Sequence, residues 1–116
     1  MEEKRINLTH DCPLAEDVKK RADIMRKECA KYELEQFIGK AILEEIKTAG
    51  GCGKRNTFVL TDYARCKGVQ ELYKEDMEIV FQKLQGMLIN RGFKADYFYN
   101  YEMPQRVIFH ISWDNN

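Results

Sequence analysis

The sequence is short of several things. Among 116 residues it has two prolines, one tryptophan and two histidines, and its 19 Lys and Arg cancel its 19 Asp and Glu. A chain without net positive charge gives no simple reason to bind nucleic acid or an anionic membrane. No apolar run reaches signal-peptide or membrane length, and the start Met1-Glu2-Glu3-Lys4-Arg5 is polar, so the expectation is a cytoplasmic chain with no membrane partner. With two histidines, scattered carboxylates and no nucleophile beside a base, the sequence predicts no enzyme, no cofactor and no small-molecule substrate.

Cysteine is present without a pattern. Cys12, Cys29, Cys52 and Cys66 are spaced by 17, 23 and 14 residues, which is no small-scaffold disulfide framework, so free thiols are expected. The Asn7-Leu8-Thr9 sequon then carries no glycan. Of the metal-binding types only His10-Asp11-Cys12 is clustered, the paired spacings of a zinc module are missing, and no metal is expected. Cys29 reads as a buried small apolar residue. Cys66, between Arg65 and Lys67, has the neighbours that most favour a thiolate.

What is there is a domain's worth of core: 44% of residues are hydrophobic and 33% charged, and the length suits one core without staples. Pro13 followed by Glu16 and Asp17 looks like a helix start capped by Asp11 or Cys12, and Gly50-Gly51 looks like its end. The apolar residues between form two stripes about half a turn apart. Leu14, Val18, Ala22, Met25, Cys29 and Tyr32 make one, and Leu34, Phe37, Ile38, Ala41 and Ile42 the other. Either the helix breaks near residues 30 to 33, or one long helix buries its second half and offers its first half to a partner. The favoured reading is an N-terminal helical arm over 1–33 and an α+β domain over 34–116.

Beyond a glycine-rich loop, Thr57-Phe58-Val59-Leu60 reads as a short strand and Thr61-Asp62 as the cap of a brief helix running to Lys67. Met77, Val80, Phe81, Leu84 and Leu88 mark a clear helix, with Tyr73 on the same face, Gly92 as its C′ residue and Phe93 packing back on Leu88. Two alternating runs then predict a hairpin around a loop of about five residues, Glu102 to Arg106. Ala95, Tyr97, Tyr99 and Tyr101 form its inner side with Val107, Phe109, Ile111 and Trp113. Phe98 and Ile108 land together on the outer face, a contact surface unless an N-terminal helix covers them.

The loop Gly50-Gly51-Cys52-Gly53-Lys54 lacks P-loop spacing and follows a helix instead of a strand, so it reads as a helix terminator. The tyrosine-rich run at 97–101 has no net positive charge around it, which suits protein contact better than base stacking.

This order resembles a winged helix-turn-helix domain over residues 34 to 113, with Phe58-Val59-Leu60-Thr61-Asp62-Tyr63-Ala64 leading into the second helix, residues 73 to 92 as recognition helix and the hairpin as wing. Leu88 to Phe93 followed by a hairpin ending in Ile111-Ser112-Trp113 is also similar to small phage and prophage proteins of unknown function. The first resemblance implies a DNA-binding transcriptional regulator, with Lys54, Arg55, Arg65, Lys67 and Arg106 as phosphate contacts. Against it, Glu71, Glu75, Asp76 and Glu78 crowd the end of the helix that should meet DNA, with Lys74 alone opposing them.

The expectation is therefore a non-enzymatic, phage-type accessory protein that binds protein or itself, using Leu14, Val18, Met25, Phe98 and Ile108, with DNA regulation as the alternative.

Overall fold

A computed structural model describes Arg5 and residues 7–114; the polar start Met1 to Lys4, on which the compartment expectation rests, lies outside the described residues. The fold is α+β. Helix α1 (Leu8–Asp11) and the long α2 (Ala15–Gly51) precede strand β1 (Asn56–Asp62), two 3-10 turns (Tyr63–Arg65 and Val69–Glu71), helix α3 (Lys74–Asn90) and strands β2 (Lys94–Tyr99) and β3 (Arg106–Ser112). The strands form one antiparallel sheet in the order β1-β3-β2.

Residues 15 to 51 are one helix of 37 residues, about 55 Å long at 1.5 Å per residue. No glycine or proline falls between Ala15 and Ile38, so the change of face near residue 30 has nothing to break on. Ala30, Leu34, Ile38 and Ile42 form a row of every fourth residue that is buried, while no residue from Ala15 to Cys29 is. The molecule is accordingly extended. Its radius of gyration is 20.2 Å, against about 13 Å for a compact chain of this length.

The helix begins later than expected. Asp11 accepts a hydrogen bond from the Asn7 amide at 2.9 Å, and Asn7 accepts one from Thr9 at 3.0 Å. These side chains close the separate turn α1 and are not left to cap α2, whose N-cap is Leu14. At the other end the helix runs through Gly50 and Gly51. Gly53 (φ 80°) makes the stop, with Gly53 N–H on the Gly50 carbonyl at 3.0 Å and Lys54 N–H on that of Ala49 at 2.9 Å, the paired bonds of a Schellman cap. Gly92 (φ 96°) ends α3 in the same way, with Phe93 N–H bonded to the Leu88 carbonyl at 3.1 Å.

The expected helix from Thr61 to Lys67 does not form. Thr61 and Asp62 remain in β1, and Tyr63, buried completely, draws the chain into two short 3-10 turns joined by Gly68 (φ 87°). Tyr73 also departs from expectation: it is the N-cap of α3 and exposed, its amide bonded to Asp76 Oδ2 at 2.9 Å. The hairpin loop spans 100–105, with Arg106 already in β3, but the alternation holds, with Tyr99 opposite Val107 and Phe98 opposite Ile108. Trp113 lies beyond the strand and packs edge-on against Phe93, with ring centroids 6.2 Å apart.

The core lies on one side of the sheet. Phe81 of α3 is its hub, with Tyr99, Tyr63, Tyr97 and Phe109 at centroid distances of 5.0, 5.6, 5.7 and 6.4 Å. Tyr99 and Tyr63 satisfy their hydroxyls there by donating to Glu78 Oε1 and to the Asn100 carbonyl. Burial, with Tyr101 nearby, pushes the Tyr63 phenol up to about 12.

Candidate interaction surfaces

With both helices on one face, the other face of the sheet carries no covering element among the described residues. Strand β1 has an unusual division of residues. Thr57, Val59 and Thr61 point into the core, while Phe58 and Leu60 point out and are 64% and 59% exposed. Phe98 is 74% exposed. The strand register places Leu60, Ile108 and Phe98 in one row across the sheet, and Phe58, His110 and Asp96 in the next. His110 stacks on Phe58, ring centroids 4.4 Å apart and planes 20° apart. Four large apolar side chains thus form one patch, and burying such side chains stabilises by roughly 1.5–3 kcal/mol each.

Phe98 and Ile108 are legible in the sequence, whereas Phe58 and Leu60 are masked, because Thr61-Asp62 resembles a helix cap and so hides the full length and alternation of β1. The signal was present: threonine at both 57 and 61 flanks a phase in which the larger residues take the opposite side.

Leu14, Val18 and Met25 are exposed along the first half of α2, where Val18, Ala22 and Met25 line a shallow hollow with Pro13. The last ties between this helix and the rest lie just beyond it. Lys27 Nζ is 3.4 Å from Asp76 and 4.4 Å from the centre of the Tyr73 ring. A further apolar groove of about 670 Å³ runs between α2 and α3, lined by Leu43, Ile46, Met87 and Phe93 among others.

The basic residues do not form one surface. Lys54 and Arg55 precede β1, whereas Arg65, Lys67 and Arg106 lie at its other end, roughly 20 Å away at about 3.3 Å per strand residue. Arg55 approaches Asp114 at 3.6 Å and Arg65 approaches Asp62 at 3.9 Å. Arg65 and Arg106 do share a cleft with Lys40, Glu44, Asp62 and Phe37, about 750 Å³ in volume, between α2 and the Leu60–Asp62 end of β1. The acids at the start of α3 have structural partners: Asp76 binds the Tyr73 amide, and Glu78 accepts the Tyr99 hydroxyl.

The thiols correct two expectations. Cys29 lies on the free half of α2 and is exposed, as are Cys12 and Cys52. Cys66 is buried under the first 3-10 turn, and burial, then the nearby Glu33, pushes its thiol up, so the flanking Arg65 and Lys67 do not make it a thiolate. No group of His, Cys, Asp and Glu among the described residues is arranged to hold a metal ion. No helix among the described residues is long and apolar enough to cross a membrane.

No family model matches the chain, and neither a curated protein nor a solved structure does.

Proposed function

We propose that this chain is a small non-enzymatic accessory protein, of the phage type that its C-terminal third resembles, which acts in the cytoplasm by binding protein. One observation carries the reading: Phe58, Leu60, Phe98 and Ile108 stand together on an uncovered sheet face. A face of that composition costs solubility unless a partner covers it, and the exposed apolar stripe of the α2 arm adds a second place to bind. Nucleic acid is the weaker reading, because its basic candidates are divided between the two ends of β1 and the start of α3 is acidic.

The test is the mass of the native assembly in cell extract. The wild-type chain should run well above its own 13.7 kDa, and Phe58→Ser with Leu60→Ser, both on the exposed patch, should lower that mass. A monomer in extract would overturn the reading. Duplex DNA binding at near-physiological salt, weakened by charge reversal at Lys54 and Arg55, would replace it with the regulator.

A further inference from the structure

The outer edge of β1 is open, and its sequence reads almost the same in both directions. The Tyr63 amide bonds to the Gln105 carbonyl of the β3 side at 3.1 Å, and the Trp113 amide bonds to the Arg55 carbonyl at 3.0 Å. In an antiparallel ladder the residues that exchange these bonds alternate, so 57, 59 and 61 pair with β3. The N–H and C=O groups of Asn56, Phe58, Leu60 and Asp62 therefore point away from the sheet, and none of them has a hydrogen-bond partner among the described residues. The opposite edge is treated differently. There Gln85 of α3 donates its side-chain amide to the outward carbonyl of Ala95 at 2.7 Å. Nor does β1 carry a proline, a bulge or a lysine, the devices that guard an exposed edge.

We infer that β1 pairs antiparallel with β1 of a second copy, about a two-fold axis at Val59, to make a six-stranded sheet in the order β2-β3-β1-β1-β3-β2. This deepens the association reading above by naming one partner, and it rests on that reading. The register follows from the sequence Asn56-Thr57-Phe58-Val59-Leu60-Thr61-Asp62. Centred on Val59, it sets Phe58 against Leu60, Thr57 against Thr61 and Asn56 against Asp62, each with its counterpart in the other copy. The four outward-pointing residues all fall at hydrogen-bonded positions, no like charges face each other along the pair, and the two apolar patches become continuous.

A separate observation points to the same register. Thr61 is only 6% exposed, and its hydroxyl is the buried side-chain group that lacks a partner among the described residues. An unpaired buried hydroxyl is costly. In the proposed pair Thr61 faces Thr57 of the second copy at a non-hydrogen-bonded position, where side chains approach most closely. Threonine pairs hydrogen-bond across such positions, and Thr57 Oγ1, which donates to Glu45 Oε1 at 3.3 Å, keeps a lone pair to accept. The cleft beside the Leu60–Asp62 half of the edge leaves room for the incoming strand, and its α2 wall offers Lys40 and Glu44, one charge of each sign, with Phe37 a turn before them.

The experiment is amide hydrogen exchange on the full chain, together with sedimentation from about 1 µM to about 1 mM. A dimer is expected in which the amides of Phe58, Leu60 and Asp62 are protected at high concentration and lose protection on dilution, while those of Val59 and Phe109 stay protected throughout. Leu60→Pro removes only an outward N–H and leaves the ladder to β3 whole, and it should raise the dissociation constant at least about tenfold. Should that variant fold poorly, Phe58→Lys with Leu60→Lys brings like charges together across the seam and should do the same. A dimer whose Phe58 and Leu60 amides exchange freely would overturn the pairing and leave the association reading standing. A monomer across the range would also overturn the pairing, and the extract measurement above would then decide the broader reading alone.

Discussion

Ala30 of α2 lies directly against Gly68, so close that a Cβ on the glycine would sit 3.6 Å from that of Ala30. Ala30 is the first residue of the long helix to be buried against the rest of the molecule. Space alone would admit an alanine at 68, but φ is 87° there, a conformation that costs an L-residue roughly 1–2 kcal/mol. Gly68→Ala should lower unfolding stability by that amount. Ala30→Leu should cost about 1–3 kcal/mol by overpacking, and urea denaturation measures both.

Phe81 is completely buried and touches four aromatic rings. Phe81→Ala should therefore cost about 3–5 kcal/mol, a large part of the stability of any small domain. Phe98→Ala, on the uncovered face, should leave the denaturation midpoint of the monomer almost unchanged. Equal losses at the two positions would mean that the outer face is covered in the isolated chain.

Asp76 links acid stability to the start of α3. The Tyr73 amide at 2.9 Å, with Lys27 at 3.4 Å, holds its carboxyl below the usual range. A depressed folded-state value contributes stability above the unfolded carboxyl value, near about 3.9, and that contribution is lost as pH falls through the folded value. Asp76→Asn should cost about 0.5–2 kcal/mol near neutrality, as loss of a cap does. The difference from wild type should shrink as the pH is lowered past 4, and thermal melts across that range give the comparison.

The cysteines should divide three to one. Cys12, Cys29 and Cys52 are exposed and Cys66 is buried with its thiol pushed up. Under native conditions an alkylating reagent should label three sites promptly and Cys66 only once the chain is unfolded, which peptide mass spectrometry resolves. Prompt labelling of Cys66 would show that the segment from Tyr63 to Glu71 opens readily.

Removing residues 1 to 26 takes away no buried side chain among the described residues and keeps Lys27 against Tyr73 and Asp76. The truncated chain should fold with a stability change within ~1 kcal/mol, read from its circular dichroism melt.

Much of this was legible in the sequence, and the reasons differ by element. Helix α3 announced itself through Met77, Val80, Phe81 and Leu84, because its apolar period and its Gly92 stop agree with the packing. Phe98 and Ile108 were found because two alternating runs fix their own phase. The segment from Thr61 to Lys67 misled because threonine and aspartate favour a helix cap locally, whereas the buried Tyr63 and the ladder to β3 decide the outcome. Two apolar stripes over residues 14 to 48 could not distinguish one helix from two, since a change of face ends a helix only where the core requires it. The open edge of β1 depends on which residues bond to β3, a long-range relation that no local pattern encodes.

The uninterrupted course of α2 also has a mechanical meaning. Between Ala15 and Ile38 there is no glycine or proline at which it could hinge, so the segment carrying Leu14, Val18 and Met25 is a strut, fixed in direction by Ala30 and Leu34. A load on its tip would be transmitted as torque to the point where α2 grips the second 3-10 turn. Anything bound there would be held at a set distance and angle from the sheet, as on an outrigger.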